Sequence, residues 1–232
     1  MGSAFAIFPL LSSISWITTL VILFVLWIHD GKPKYKVTSP DITYISNVGS
    51  AYKTVFITGA SLTAAFFVAT LFVFLFHNRS TFNRNFTNSG AGVQRKPRTW
   101  SDFLSFIFGI VASAALVLLT VYDSINHETV HWIFTLTFAL CAIICAIFNV
   151  ISLSTNRGFQ RRKFSSFVLK ILFIIASTLV LGAFLGLMYS CNSNGVALTS
   201  SCNDLHSIAA VLEWTLALLF FVFTLSWIID FL

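Results

Sequence analysis

One group of side chains suited to acid–base or metal chemistry lies between residues 123 and 131 of this 232-residue chain. Residues 127–131 read HETVH, which matches the zinc-protease pattern HExxH. Two imidazoles four residues apart on one helix face can bind a metal ion, and the glutamate between them can activate water. The pattern straddles a connection and the start of a helix, however, and no third ligand is indicated. We therefore predict no cofactor and keep zinc bound by His127 and His131 as the less favoured alternative.

A second group lies around the start of the last apolar run and contains Asp204, His206 and Glu213. Glu213 lies about two helical turns into that run, about 10 Å deep. An isolated carboxylate at that depth costs a few kcal/mol, so we expect it to face the protein interior and to have a partner. His206, seven residues earlier on the same helix face, and His131 are the candidates. The two groups together predict either a functional polar pocket or a structural hydrogen-bonded clasp.

Six long apolar runs must position these side chains. Each is close to the length of about 20 apolar residues that a helix needs to cross a bilayer. With 57% hydrophobic and 9% charged residues, the chain could not hide its apolar surface as a water-soluble protein. The sequence predicts an all-α polytopic membrane protein, a single domain over residues 1–232 folded as a bundle of six transmembrane helices. The predicted helices cover residues 4–28, 55–76, 103–121, 132–153, 167–189 and 208–229.

The basic residues orient this bundle. Five Lys or Arg residues lie in the second connection, residues 77–100, and four in the fourth, residues 154–166; the first has four, offset by two aspartates, and the third and fifth have none. The positive-inside rule places the second and fourth connections and both termini in the cytosol. Basic side chains there attract anionic lipid, so the net charge of +6 requires no nucleic acid partner. The predicted lipid-binding residues are Arg95, Lys96, Arg98, Arg161, Arg162 and Lys163.

The same orientation predicts the state of a cysteine pair. Cys191 and Cys202 both lie in the fifth connection, on the side that this orientation makes oxidising, and we expect a disulfide between them. Asn78 and Asn85 begin glycosylation sequons, but both lie in the second connection. We expect these two asparagines to carry no glycan.

Small and aromatic residues predict how the helices pack and where the interfaces lie. Gly182 and Gly186 form a GxxxG pattern, which we expect to pack closely against another helix of the bundle. Tryptophans near the ends of the apolar runs are typical of the aromatic belts at membrane interfaces. The predicted belt residues are Trp27, Trp132, Trp214, Trp100 and Trp227.

Three local patterns stand in a characteristic order along the chain. Residues 44–49 read YISNVG, His131 opens the fourth predicted helix, and Glu213-Trp214 is followed by a late Asp-Phe at residues 230–231. Read together, they resemble the Frag/DRAM/Sfk family of six-pass membrane proteins, whose helix number and connection lengths fit the whole chain. With the tyrosine of the first pattern, the predicted polar pocket comprises Tyr44, Asp123, His131, His206 and Glu213.

The resemblance implies a role in membrane lipids. Branches of the family assist plasma-membrane phosphatidylinositol 4-kinase and affect lipid asymmetry, modulate autophagy at lysosomal membranes, or take part in remodelling the lipid of GPI anchors in the Golgi. We predict a non-enzymatic plasma-membrane protein that organises lipids through its basic cytosolic connections and its polar pocket, with anionic lipids and a peripheral cytosolic protein as partners. The alternatives are a GPI-anchor remodelling factor or lipid-modifying enzyme in the Golgi or ER, with His131, Glu213 and Asp123 as catalytic groups, and an autophagy modulator of the vacuole or lysosome.

Overall fold

A computed structural model of the chain describes residues 3–35, 41–88, 99–154, 161–193 and 200–232, with side chains for 4–35, 41–76, 100–154, 164–190 and 202–232. Within those ranges the backbone is helical apart from short turns, and it contains no strand. All the described helices except α2 are long and apolar enough to cross a membrane, which confirms the predicted six-span bundle. After a 3-10 turn, Ser3–Ala6, the described helices are α1 (Ile7–His29), α2 (Ile45–Ala51), α3 (Lys53–Asn88), α4 (Thr99–Val121), α5 (Glu128–Ser154), α6 (Arg161–Ser193) and α7 (Ser200–Phe231).

Several helices extend beyond the apolar runs that predicted them. α3 continues through much of the predicted second connection to Asn88, and α7 begins at Ser200, so Asp204 and His206 lie within a helix and not before it. Each residue added to an existing helix gains a backbone hydrogen bond, so a helix need not stop where its apolar side chains stop. The short helix α2 was not predicted, because seven residues are too few to show a helical period.

The six spanning helices form a closed ring in chain order. α1 packs against α3, each later helix packs against the next, and α7 returns to α1. The short helix α2 lies at one end of this ring and contacts α1, α3, α4 and α7. We call this the outer end, because the charge distribution predicts that it faces away from the cytosol, and we call the opposite end the inner end.

Large aromatic side chains fill the centre of the ring. The Phe67 ring lies 5.9 Å from the Phe220 and Phe223 rings and 6.0 Å from Trp227, all edge to face. Such pairs hold helices together by close packing, which matters in a bilayer where lipid removes the hydrophobic drive between helices. Trp227 is fully buried and Trp27 nearly so, so the prediction that these two belong to an aromatic belt is wrong. Trp100 is 76% exposed, as a belt residue should be.

Glycines show which helix faces approach closely. A Cβ at Gly59 would lie 1.8 Å from the Thr19 hydroxyl oxygen, and one at Gly109 would lie 2.4 Å from Leu71. These positions allow α3 to approach α1 and α4. At Gly182 and Gly186, by contrast, no described atom lies within 4 Å of a Cβ. The prediction that this GxxxG packs inside the bundle is therefore wrong, and it lies on an outward face of α6.

Candidate functional site

The segment that carries the YISNVG pattern is a buried helix at the outer end. Tyr44 is extended and precedes α2, and its carbonyl accepts the N–H groups of Asn47 and Val48, each at 3.2 Å. All residues from Ile45 to Gly49 are buried. A Cβ at Gly49 would lie 2.1 Å from Cδ1 of Phe56, so only glycine lets α2 lie against the start of α3. The pattern thus encodes a helix that covers one end of the bundle.

On one side of α2, Asp123 holds the connection between α4 and α5. Its Oδ2 lies 2.9 Å from Nζ of Lys53, and its Oδ1 accepts the backbone N–H of Ile125 at 3.1 Å and of Asn126 at 2.7 Å. Burial acts to raise the pKa of Asp123, but the Asn126 N–H and the Lys53 ammonium outweigh it and hold that pKa well below its usual range. Asp123 is therefore a charged structural anchor at neutral pH.

Hydrogen bonds join α2 to this anchor. The Ser124 hydroxyl donates to Oδ1 of Asn47 at 2.9 Å, and it lies 3.2 Å from the Ser50 hydroxyl. Ser124 follows Asp123 directly, and Lys53 begins the helix after α2. The polar residues of the YISNVG segment therefore fix the α4–α5 connection against α2.

His131 is buried at the start of α5 and contacts the end of α4. Its Nδ1 lies 2.8 Å from the Leu119 carbonyl oxygen and 3.0 Å from that of Tyr122. Because both partners can only accept, Nδ1 carries a proton and donates to them. Carbonyls at the end of a helix lack helical partners, and His131 satisfies two of them. The sequence left two roles open for His131, a functional pocket or a structural clasp, and this geometry fits the clasp.

The HExxH residues do not converge on one point. His127 lies before α5, is exposed, and places its ring 5.6 Å from the Tyr122 ring, whereas Nδ1 of His131 points to backbone carbonyls. Among the described residues, no group of three His, Cys, Asp or Glu side chains is placed to hold a metal ion.

On the other side of α2, Tyr44 contacts His206 of α7 and Met188 of α6. Its hydroxyl lies 2.9 Å from Nδ1 of His206 and 3.5 Å from the Met188 sulfur. Burial, and then the negative charge of Glu213, raise the pKa of Tyr44 far above its ordinary value. The phenol therefore stays protonated and serves as a hydrogen-bonding group.

Glu213 lies beneath the first turn of α2. Its carboxylate faces the Ser46 hydroxyl and the backbone N–H groups of Ile45 and Ser46, which a helix start leaves without partners. Its Oε2 is buried and has no hydrogen-bond partner among the described residues. The neighbouring Trp214 donates from Nε1 to the Thr43 carbonyl at 3.0 Å, which fixes the chain before α2. The Glu-Trp pattern of α7 thus holds the start of the YISNVG segment in place through these hydrogen bonds.

The five predicted pocket residues accordingly form two groups and not one. Asp123 and His131 fix the α4–α5 corner, while Tyr44, His206 and Glu213 join α2 to α7. The short helix α2 separates the two groups and connects them. Sequence reasoning placed these residues at the same end of the bundle, but it lacked the helix between them.

A second polar site, which the sequence reading missed, is buried near the inner end. Lys170 of α6 and Asp230 of α7 form an ion pair in which the two side chains are 0% and 1% exposed. The Ser166 hydroxyl accepts from Lys170 at 2.7 Å and donates to Asp230 at 2.6 Å, and the ammonium lies 4.8 Å from the Trp227 ring centre. The late Asp-Phe pattern supplies this carboxylate. The lysine inside an apolar run was the signal that could have found the pair.

Other buried polar side chains lie on α4 and α5. The Ser152 hydroxyl donates to the buried Asp102, and the Ser105 hydroxyl donates to the Cys145 carbonyl at 3.1 Å. Asn149, on the same helix as Cys145 and Ser152, is fully buried with both amide atoms unpartnered among the described residues. The facing sides of α4 and α5 therefore contain buried polar side chains, as those of α6 and α7 do.

Some predicted residues fall outside what the structure describes. Arg95, Lys96 and Arg98 lie outside the described residues. The backbone of residues 161–163 forms the first turn of α6, so these three begin a helix and do not form a loop, but the side chains of Arg161, Arg162 and Lys163 lie outside the described part. The side chain of Cys191 does too, so the disulfide with Cys202 stays a prediction. The side chains of Asn78 and Asn85 also lie outside the described part, so the absence of a glycan at both stays a prediction.

The closed ring of six spans, covered at one end by a polar-anchored short helix, defines a class of helical integral membrane protein. A family model, described as the Frag1/DRAM/Sfk1/Cwh43P N-terminal domain, matches residues 4–232, and the chain belongs to this family. It is also similar to "Protein sfk1" of Schizosaccharomyces pombe, with 28% identity over 192 residues, covering 82% of this chain and 56% of that protein. The chain thus spans about half the length of this relative. No solved structure matches it.

Proposed function

We propose that this chain is a non-enzymatic membrane protein of the plasma membrane that organises or regulates membrane lipids. The observation that carries the proposal is that the groups best suited to acid–base chemistry at the α4–α5 corner hold helices together. Asp123 is engaged by Lys53 and Asn126, and His131 by two backbone carbonyls. A group that donates or accepts a proton in catalysis must be able to reach a substrate, whereas these are buried in a clasp.

The basic segments support a lipid-organising role. Nine Lys or Arg residues lie in the two connections predicted to face the cytosol, and membership of the family implies a role in phosphoinositide supply or lipid asymmetry. Each basic residue near an anionic membrane surface contributes about 1 kcal/mol of attraction. The predicted contacts are Arg95, Lys96 and Arg98 after α3, and the three basic residues at the start of α6.

Lipid co-purification tests this proposal. We expect the wild-type chain to retain phosphatidylserine and phosphatidylinositol 4-phosphate in mild detergent, and charge reversal of Arg95, Lys96 and Arg98 to glutamate to lower that retention about tenfold or more. The matched control is Lys34→Glu, which reverses the charge of an exposed lysine at the outer end. It should leave the retention of both lipids unchanged. Equal retention by the wild type and the triple variant would refute the role of these residues.

One observation favours a second candidate function, a lipid-modifying or GPI-anchor remodelling enzyme. The buried Oε2 of Glu213 has no described partner, and it lies in the group that contains Tyr44 and His206. A carboxylate oxygen that has no described partner could accept a proton from a lipid substrate, provided that α2, which covers it, moves to admit that substrate. If the protein is such an enzyme, Glu213→Gln should fail to rescue a deletion strain while Glu128→Gln, at the exposed start of α5, rescues it. Full rescue by both variants would exclude this function.

Lipid profiles of a deletion strain separate the remaining family roles. A kinase-assisting or asymmetry role predicts changed phosphoinositides or changed exposure of phosphatidylserine. A remodelling role predicts changed GPI-anchor lipids, and an autophagy role at the vacuole or lysosome predicts changed autophagic flux with both lipid classes unchanged. We expect the first pattern, and the second or third would replace the proposal.

A further inference from the structure

A shallow groove of about 620 Å³ opens at the outer end, away from the clasp residues. Asp30 directly follows α1 and Tyr52 directly precedes α3, so the groove lies where two spanning helices leave the membrane. Groups at this level meet lipid headgroups. The groove is lined by Asp30, Pro33, Tyr35, Ala51 and Tyr52.

A defined turn at the end of α1 holds one wall of this groove. The N–H of Gly31 donates to the Ile28 carbonyl and the N–H of Lys32 donates to the Trp27 carbonyl, both at 3.0 Å. This is the Schellman arrangement that ends many helices, and Gly31, with a φ of 77°, supplies its left-handed residue. Lys32 is also left-handed, with a φ of 58°. The turn fixes Asp30 at the groove and leaves the Lys32 side chain exposed beside it.

The groove contains an accessible negative charge. The Asp30 side chain is 47% exposed and accepts the Tyr52 hydroxyl. That hydrogen bond, followed by the one from His29, lowers the pKa of Asp30, so the carboxylate is ionised at neutral pH. The same bond raises the pKa of Tyr52 to about 12, so the phenol stays neutral. The groove therefore presents one anion beside two neutral aromatic side chains.

Tyr35 adds an unused polar atom. Its hydroxyl oxygen is buried and has no hydrogen-bond partner among the described residues, while its ring packs against the core. Burial raises the pKa of this phenol, and the charge of Asp30 raises it further. A buried hydroxyl without a partner costs stability, and a bound ligand that offers it an acceptor oxygen would recover that cost.

A carboxylate flanked by tyrosine side chains is the composition that recognises organic ammonium groups. We propose that this groove binds the ammonium group of a choline or ethanolamine phospholipid from the membrane leaflet at this end, with Asp30 as its counter-ion and Tyr35 and Tyr52 beside it. The exposed side chain of Lys32 is two residues from Asp30 in the same turn, and its ammonium is the proposed contact for the lipid phosphate. This site is separate from the anionic-lipid contacts proposed for the inner end, and it uses the opposite charge.

Native mass spectrometry of the full chain tests this assignment. Protein purified in mild detergent is mixed with equal amounts of phosphatidylcholine and diacylglycerol of identical acyl chains. Diacylglycerol has no ammonium group, and it has no negative charge for the basic residues of the inner end to bind. We expect the wild type to retain phosphatidylcholine in preference, and Asp30→Asn to lower that preference roughly five- to tenfold. Tyr52→Leu should lower it too. Asp41→Asn removes an exposed carboxylate of the same connection, one paired with Lys34, and should leave the preference unchanged.

A second arm separates the lipid from a soluble amine. Glycerophosphocholine and choline chloride are titrated against the wild type and Asp30→Asn, and retention is measured as before. We expect choline-containing probes to compete with phosphatidylcholine only at concentrations far above that of the lipid. Equal retention of the two lipids by the wild type, or no effect of Asp30→Asn in a folded protein, would overturn the proposal. Tight, Asp30-dependent binding of free choline without lipid preference would overturn the lipid assignment.

Discussion

Two of the lysine–aspartate pairs that the structure describes, one at each end of the bundle, differ in their surroundings. Lys53 and Asp123 join at the outer end, with side chains 43% and 5% exposed, whereas Lys170 and Asp230 join near the inner end at 0% and 1%. Water can screen the first pair and replace a lost partner, but the second is dry. Ion pairs that water reaches contribute little to stability, while breaking a dry pair leaves an uncompensated charge. The same two residue types therefore have different structural consequences at the two ends.

The neighbours of each pair extend this contrast. Asp123 belongs to a network of short-range hydrogen bonds that includes backbone donors, so the loss of one member leaves others in place. Among the described residues, Lys170 makes its polar contacts with Asp230 and Ser166, and the Trp227 ring lies beside it. We infer that removing one polar partner lowers the stability of the protein only slightly at the outer end and strongly at the inner end.

The largest expected effect is at the inner pair. Lys170→Met leaves the Asp230 carboxylate buried with Ser166 as its remaining described partner, and we expect a loss of about 3–5 kcal/mol in the free energy of unfolding. The measurement is SDS or thermal unfolding of the purified protein in detergent.

The matched control is the double variant Lys170→Met with Asp230→Asn, which removes both charges. Because replacing a whole buried pair is often neutral, it should recover most of the loss. If the double variant is as unstable as the single one, the unpaired charge of Asp230 does not cause the loss of stability. The proposed difference between a dry inner pair and a hydrated outer pair would then be wrong.

The next effect concerns the fit of α2 and not its charges. Gly49→Ala would place a methyl group inside the Phe56 ring, so the ring or the whole of α2 must move. Overpacking of this kind costs about 1–3 kcal/mol. Gly182→Ala is the control, because no described atom lies within 4 Å of its Cβ, and it should be neutral or slightly stabilising. Phe56→Leu combined with Gly49→Ala should restore part of the stability; unchanged stability in Gly49→Ala alone would show that α2 does not lie where we describe it.

A smaller effect is expected at His131. His131→Ala leaves the Leu119 and Tyr122 carbonyls without this donor, at a cost of about 1–2 kcal/mol. His127→Ala changes an exposed side chain and should leave unfolding unaffected. Should the two variants unfold alike while only His131→Ala abolishes activity in a rescue assay, His131 would be a functional group and not a clasp.

The sequence predicted the fold well, because span length and charge bias are properties of long segments. Six runs of about 20 apolar residues leave few alternatives to a six-helix bundle. The site was predicted only in part. Tyr44, His206 and Glu213 do meet, but their partners depend on α2, a seven-residue helix stabilised by burial and not by its own period. Lys170 and Asp230 are 60 residues apart, and only the ring order of the helices brings them together.

The smallest expected effect is at the outer pair, Lys53 and Asp123, and it should depend on pH. The folded-state pKa of Asp123 is held well below its usual range, so its stabilising contribution is complete above the unfolded-state pKa of about 3.9 and is lost as the pH falls below that value. We expect the wild type to exceed Asp123→Asn in the free energy of unfolding by about 1 kcal/mol at pH 6, since the partly exposed Lys53 is screened by water. This difference should shrink progressively as the pH falls below about 4, as measured by unfolding in detergent. Asp41→Asn, which removes an exposed carboxylate, should show no such window. A difference that stays constant with pH would mean that Asp123 acts through its shape and neutral hydrogen bonds, and the outer pair would then have no electrostatic role to set against the inner one.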